Sequence, residues 1–193
     1  NVLPFALPYP ATFAAGLTFL GLARFLLILN NKKRSRFIGL GVIALLVLLI
    51  HPLTFIFLAV GLLALALGDG RRAKADWLRL AAVILIPFGL AGFWPYYDFF
   101  RLIFNESSVQ WPGNRVLYIS VWRRIYPALI GLPFLIVRFR KNRGDPLLLI
   151  FIGLSLIYLY GGFSGNFGYG RVISYLVMVL QINIAGGIAD LES

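Results

Sequence analysis

The sequence predicts an all-α, polytopic integral membrane protein: a bundle of about seven transmembrane helices, with the N-terminus outside and the C-terminus in the cytoplasm. Three observations support this fold class. The chain is 60% hydrophobic over 193 residues, with a mean hydropathy of +0.87, and polar side chains could not cover so much apolar surface in a soluble domain. Lys and Arg fall in short clusters between apolar segments, as the positive-inside rule expects. Finally, His51-Pro52 interrupts the apolar run from Phe37 to Leu67.

The first half of the chain predicts three helices, because roughly 20 apolar residues cross the hydrocarbon core. Ala11 to Leu29 meets that length directly. Phe37 to Ile50 and Leu53 to Leu67 are each short, so we interpret them as a hairpin with His51 at its outer tip, since proline disfavours a helical residue before it. The hairpin keeps both flanking basic clusters cytoplasmic, whereas a single kinked helix, the alternative, would place the second cluster outside. The clusters are Lys32, Lys33, Arg34 and Arg36, followed by Arg71, Arg72, Lys74 and Arg79.

The second half of the chain predicts four further spans and places every lysine in the cytoplasm. One element stays open, because the pair Arg123-Arg124 allows the segment 116–124 to lie along the interface before a shorter span that begins at Ile125. In order, the expected elements are a span from Leu78 to Trp94 interrupted at Pro87, an outer aromatic loop from Pro95 to Arg115, a span from Leu117 to Val137, a basic loop from Arg138 to Arg143, a span from Pro146 to Tyr160, a glycine turn from Gly161 to Gly170, and a last span from Val172 to Ile188.

Composition limits the chemistry and the partners. The absence of Cys and the single His exclude disulfides, thiolate sites and multi-His metal sites. We therefore expect no cofactor and no metal site, with a divalent cation held by oxygen ligands as the remaining alternative. The formal charge of +11 resides in clusters beside apolar segments, so membrane lipids with anionic headgroups are the expected partners, and nucleic acid is not.

The outer face carries the candidate site residues. Planar, permanently charged guanidinium groups near the interface are suited to a phosphate-bearing lipid, and the alternative for each Arg is simple contact with headgroups. Asp98 and Glu106 are the only predicted outer carboxylates, so they are the candidates for a catalytic base, with ordinary solvated acids as the alternative. The glycine turn is either a flexible connection or a backbone surface that approaches a ligand. The expected substrate-binding residues are His51, Arg123, Arg124, Asn166, Tyr169 and Arg171.

Four short motifs stand at the ends of the predicted helices: Tyr9-Pro10-Ala11-Thr12, Leu49-Ile50-His51-Pro52-Leu53-Thr54, Gly89-Leu90-Ala91-Gly92-Phe93-Trp94-Pro95 and Phe167-Gly168-Tyr169-Gly170-Arg171-Val172-Ile173. They resemble the later membrane helices of the GT-C superfamily, the polytopic glycosyltransferases that use polyprenyl-phosphate sugars.

The resemblance implies a glycosyltransferase, or a fragment of one, that uses a polyprenyl-phosphate-linked sugar at the outer leaflet. It also implies that His51 and Arg171 hold the lipid phosphate, while the loop from Trp94 to Trp111 shapes the acceptor side. The family places its catalytic carboxylate on the first outer loop, and no matching acid stands ahead of Ala11. We therefore expect one transmembrane domain, residues 1–193, that belongs to a longer protein.

Two other classes of function remain as alternatives. One is a non-catalytic membrane subunit or scaffold of a larger complex, which the scarcity of outer carboxylates favours. The other is a lipid or solute transporter, against which the lack of internal repeats counts. The expected partners are a polyprenyl-phosphate lipid-linked sugar and either the missing N-terminal part or another membrane subunit. The expected location is the plasma or inner membrane with an outer-face site, or the ER membrane in a eukaryote.

Overall fold

The structure is a computed structural model that describes residues 10–31, 36–70, 74–95 and 112–192. The described residues form helices joined by short turns, and no strand occurs among them, which confirms the all-α class. The helices are α1 (Pro10–Asn31), α2 (Arg36–Ile50), α3 (Pro52–Gly68), α4 (Lys74–Ala91), α5 (Pro112–Ile119), α6 (Val121–Ile125), α7 (Gly131–Lys141), α8 (Pro146–Phe163) and α9 (Ile173–Glu192), with 3-10 segments at Tyr126–Ile130 and Phe167–Val172.

Three segments in the described part of the chain are long and apolar enough to cross a bilayer: Pro10–Asn30, Pro146–Phe163 and Phe167–Ala189. Two further apolar helices, α2 and α3, are shorter. Less than half of each long apolar segment is buried inside the protein, so many large apolar side chains face outward. An apolar exterior of this extent is the expected surface of a protein dissolved in lipid. The seven crossings and their orientation stay predictions.

The chain folds as two compact units. The first unit comprises residues Asn1–Leu63 and Arg71–Phe99, and the second comprises Ala64–Gly70 and Phe100–Ser193. The described parts of the first unit are α1, most of α3, α2 and α4. The second unit holds the end of α3 and everything described from α5 onward.

The chain of the first unit reverses direction at His51. A Cβ atom built on Gly21 of α1 would lie 3.2 Å from Leu58 Cδ1 and 3.3 Å from Ile43 Cγ2. Residues 43 and 58 would lie about 22 Å apart in a continuous helix, at about 1.5 Å per residue, so one glycine could not contact both. The reversal predicted at His51-Pro52 is therefore confirmed, and a single kinked helix does not describe the structure.

Aromatic pairs show that α1 to α4 alternate in direction. Phe25 near the end of α1 packs edge-on against Phe37 near the start of α2, with ring centroids 6.4 Å apart. The rings of Phe55 and Phe88, near the start of α3 and the end of α4, are 5.3 Å apart. The guanidinium carbon of Arg79 lies 6.0 Å from the Phe37 ring centroid. The first turns of α2 and α4 therefore lie at the same end of the unit.

The prediction that Pro87 interrupts its span was wrong, because α4 is helical from Lys74 to Ala91 with Pro87 inside it. Proline removes one backbone hydrogen bond from a helix and crowds the preceding turn. Here Pro87, Val83 and Ala91 are buried on one face of α4. Packing of that face compensates the missing hydrogen bond.

The core of the second unit lies between α7, α8, α9 and the 3-10 segment that precedes α7. It contains Ala128, Leu135, Leu148 and Leu180, all buried. Asp145 fixes the start of α8, since its Oδ1 accepts hydrogen bonds from the backbone N–H groups of Leu147 and Leu148 at 3.0 and 3.2 Å.

The basic residues that precede α8 are tied to the same cap. The loop predicted from Arg138 to Arg143 is wrong in part, because Arg138, Arg140 and Lys141 form the last turn of α7. Arg138 Nη1 donates to Asp145 Oδ2 at 2.8 Å. The guanidinium carbon of Arg143, in the turn that follows, lies 5.9 Å from the ring centroid of Phe139. These residues form a basic end of the second unit.

The segment predicted as a span from Leu117 to Val137 is broken into α5, α6, a 3-10 segment and α7. Pro127 stands at the start of the 3-10 segment and Pro133 in the first turn of α7, and each removes a backbone donor. The segment nonetheless follows α8 in the opposite direction, because Tyr118 contacts Tyr158 while Leu135 packs with Leu148. It is thus a broken run alongside α8 rather than one continuous helix.

Candidate functional site

The candidate site is built around Arg171, in the last turn of the 3-10 segment Phe167–Val172. Its Nε donates a hydrogen bond to Oδ1 of Asn114 on α5 at 3.2 Å. Asn114 is only 6% exposed, whereas Arg171 is exposed. Among the described residues this is the one hydrogen bond shown for the Arg171 side chain. The terminal nitrogens of a guanidinium held in this way can face a planar or tetrahedral oxyanion such as a phosphate.

A pair of tyrosines fixes α5, and with it Asn114, against the end of α8. The Tyr118 and Tyr158 rings stack with centroids 4.6 Å apart. The Tyr118 hydroxyl donates to the Tyr158 carbonyl at 3.1 Å, and the Tyr158 hydroxyl donates to the Leu117 carbonyl at 3.0 Å. Asn114 and Tyr118 stand one helical turn apart on α5, so the tyrosine pair also sets the position of Asn114.

Burial of the Tyr118 hydroxyl, with a smaller contribution from neighbouring Tyr158, raises the pKa of Tyr118 to about 12. An ordinary tyrosine ionises near pH 10. The Tyr118 hydroxyl therefore keeps its proton, and its role as a donor, further into the alkaline range than an ordinary tyrosine would.

The glycine turn packs tightly against the same tyrosine. A Cβ atom on Gly170 would lie 2.7 Å from Tyr118 Cε2 and 3.0 Å from Leu117 Cβ, and one on Gly161 would collide with the Tyr118 hydroxyl. Gly165 has φ +73°, a conformation that other residues rarely adopt. The turn predicted from Gly161 begins later, because α8 continues to Phe163 and includes Gly161. Gly161 and Gly170 together allow the end of α8 and the turn to pack closely on α5, a role that the sequence analysis did not foresee.

Two other candidate residues share the turn with Arg171. Asn166 shapes the backbone, since its carbonyl accepts from the Tyr169 N–H at 3.2 Å and its own N–H donates to Ser164 Oγ at 3.4 Å. The Tyr169 ring meets Tyr160 edge-on, with centroids 6.0 Å apart. Asn166, Tyr169 and Arg171 therefore lie in one compact turn, which the Asn166 backbone helps to close.

Arg123 and Arg124 lie on the short helix α6 and are exposed. Their neighbours Trp122 and Tyr126 are 70% and 66% exposed. The two ion pairs within the described part of the chain involve Asp76 and Asp145 and include neither of these arginines. Exposed Trp and Tyr beside Arg are typical of the headgroup region. The structure shows no contact that joins this pair to Arg171 among the described residues.

His51 belongs to the first unit and has a structural contact. Its Nδ1 lies 2.8 Å from Thr54 Oγ1 and accepts from the Thr54 backbone N–H at 3.3 Å. Thr54 is fully buried, and Pro52 occupies the first position of α3. A side-chain acceptor before a first-position proline is an N-cap, so His51 caps α3. From this contact we infer that the ring carries its proton on Nε2.

The proposed catalytic acids cannot be placed, since Asp98 and Glu106 lie outside the described residues. Within the described ranges no cluster of His, Cys, Asp or Glu has the geometry to hold a metal ion. Sequence reasoning missed Asn114 and the Tyr118–Tyr158 pair. Asn114 follows Pro112-Gly113, a dipeptide typical of loops. No local sequence signal predicts its contact with Arg171, which lies 57 residues away.

Comparisons with known protein families, curated proteins and solved structures find no match. The fold itself defines the class, because three apolar helices long enough to cross a bilayer indicate a helical membrane protein.

Proposed function

We propose that the chain is a GT-C-like membrane glycosyltransferase, or part of one, that uses a polyprenyl-phosphate-linked sugar at the outer leaflet. The observation that carries the proposal is the exposed Arg171 guanidinium, whose Nε is held 3.2 Å from buried Asn114. A fixed guanidinium at the end of an apolar helix suits a phosphate attached to a lipid chain, because the chain stays in the bilayer while the phosphate stays at its surface. Tyr169 beside it offers an aromatic surface for a sugar.

The outer-leaflet assignment rests on the two basic ends. In the first unit, Arg36 and Lys74 begin α2 and α4, Arg79 lies in the second turn of α4, and the starts of these two helices share one end. In the second unit, the basic residues from Arg138 to Arg143 and the turn with Arg171 lie at opposite ends of α8. The positive-inside rule places the basic ends in the cytoplasm. The proposed topology therefore has the N-terminus and the glycine turn outside and the C-terminus inside.

Cysteine labelling tests this topology cleanly, since the chain has no cysteine. The exposed positions Phe93 and Ser164, replaced by Cys, should react with a membrane-impermeant maleimide in intact cells. Asn30→Cys and Lys141→Cys should react only after permeabilisation. Labelling of Phe93→Cys and Asn30→Cys from the same side would refute the topology of the first unit.

A second candidate function, a non-catalytic membrane subunit, is favoured by the positions of the acids. Asp76 pairs with Arg79 at 2.6 Å and Asp145 pairs with Arg138 at 2.8 Å, so both serve the basic ends. Neither is at the glycine turn.

We expect the purified 193-residue chain to transfer no sugar from a polyprenyl-phosphate donor, measured with a radiolabelled sugar. An acceptor hydroxyl must lose its proton as the glycosidic bond forms, and a positioned base contributes roughly 10²- to 10⁴-fold in rate. Turnover that disappears in Asp98→Asn or Glu106→Gln would contradict this expectation and place the active site on the loop after Trp94. Chains with Asp76→Asn would serve as the matched control.

A further inference from the structure

An apolar groove of 350 Å³ runs between α2 and α4 in the first unit. Phe37 and Arg79 line one end, and Leu45 and Leu90 line the other. Gly41 forms part of its wall, and a Cβ atom built there would meet no atom within 4 Å. The groove is therefore open at the position where a larger side chain would fill it.

The length of the groove matches one leaflet of a bilayer. From Arg79 to Leu90 it follows α4 for about 16 Å, at about 1.5 Å per residue. Half of a hydrocarbon core is about 15 Å. A lipid acyl chain that enters at the Arg79 end would therefore be accompanied by apolar side chains for most of its depth.

The Arg79 end of the groove carries a net positive charge. Arg79 lies over the Phe37 ring, and its Nη1 donates to Asp76 Oδ1 at 2.6 Å. Arg36 and Lys74 stand in the first turns of the same two helices, and Arg24 of α1 donates from its Nε to the Arg36 carbonyl at 3.4 Å. Among the described residues Asp76 pairs with Arg79 alone, so the other cations leave this end positive, which complements a phosphate.

We propose that this groove binds one acyl chain of an anionic phospholipid, with its phosphate at Arg79. The groove and its basic end belong to the first unit, whereas Arg171 belongs to the second. In the proposed topology, the lipid in this groove belongs to the cytoplasmic leaflet. Its binding does not depend on glycosyl transfer.

The test is native mass spectrometry of the full-length 193-residue protein released from detergent. It measures how strongly the protein retains phosphatidylglycerol and phosphatidylcholine that carry identical acyl chains. The wild type should retain phosphatidylglycerol at least tenfold more strongly. Gly41→Leu, which fills the groove, should reduce that retention at least tenfold. Gly16→Leu is the matched control, because Gly16 on α1 also has no atom within 4 Å of a built Cβ; it should bind as the wild type does.

The remaining measurements distinguish the contribution of the lipid acyl chain from that of the headgroup. Arg79→Gln should reduce the preference for phosphatidylglycerol while phosphatidylcholine retention stays unchanged. Equal retention by Gly41→Leu and Gly16→Leu would overturn the groove as the site. Equal retention of both lipids by the wild type would overturn the headgroup assignment. A phospholipid occupant would be refuted if polyprenyl phosphate displaced phosphatidylglycerol from the wild type and was itself retained less by Gly41→Leu.

Crosslinking gives a second test of the groove. A photoactivatable acyl chain should crosslink to α2 or α4, and crosslinks confined to other helices would refute the site.

Discussion

Replacing Gly131 by alanine should destabilise the protein by roughly 1–3 kcal/mol or more, because it inserts a methyl group where there is no space. A Cβ atom at Gly131 would lie 3.0 Å from the carbonyl carbon of Leu180 and 3.2 Å from its Cα, and closer still to the carbonyl oxygen. These are backbone atoms of α9, so they cannot rotate away as a side chain would. Leu180 is also fully buried in the core of the second unit.

The matched control is Gly89→Ala on α4, where a built Cβ meets no atom within 4 Å. Alanine there should leave stability unchanged or raise it by up to about 1 kcal/mol, because alanine favours helix over glycine. The measurement is the thermal unfolding midpoint of each variant in the same detergent. A midpoint for Gly131→Ala equal to that of Gly89→Ala would show that α7 and α9 are not packed as described.

Replacing Arg171 by lysine should weaken binding of polyprenyl phosphate roughly 10- to 100-fold, even though the positive charge remains. Lysine cannot donate to Asn114 and to a phosphate through the two edges of a planar group. A hydrogen bond to a charged group contributes about 1.5–3 kcal/mol, which sets the expected range. Equilibrium binding to the purified protein measures the effect.

A matched control accompanies this measurement. Arg143→Lys makes the same exchange in the basic loop at the other end of α8 and should leave the affinity unchanged. A loss of affinity as large as that of Arg171→Lys would refute a specific site.

His51 needs a different experiment because it caps α3. His51→Ala should lower stability by about 1 kcal/mol, whereas His51→Asn keeps a capping acceptor. Reduced affinity in His51→Asn at unchanged stability would support contact with the phosphate.

Much of the first unit could be predicted from sequence, because its signals are local. Proline after His51 and basic residues on both sides of the apolar run predicted the reversal that the contacts of Gly21 confirm. Pro87 also predicted an interruption, and this prediction was wrong, because burial of the helix face that carries Pro87 outweighs the lost backbone hydrogen bond. Local sequence does not report how strongly a helix is packed.

The contacts of the candidate site could be predicted only in part. Arg171 and the glycine turn were candidates from residue type, position and resemblance, and their part in binding stays a prediction. Asn114, Tyr118 and Tyr158 were not, because their contacts join residues about 40 to 57 positions apart. Hydrophobic periodicity identifies a buried face but not its partner across the fold. Glycine is required at positions 161 and 170 because a larger side chain would collide with Tyr118. This requirement, too, cannot be predicted from local sequence.

In the proposed site, Asn114 supports binding of a lipid phosphate only by holding Arg171. A double-mutant cycle tests this role most directly: polyprenyl-phosphate affinity is measured for the wild type, Asn114→Ala, Arg171→Ala and the double variant. We expect Asn114→Ala to weaken binding in the wild type but to change nothing once Arg171 is absent, so the two effects are not additive. Additive losses, or full affinity in Arg171→Ala, would contradict it.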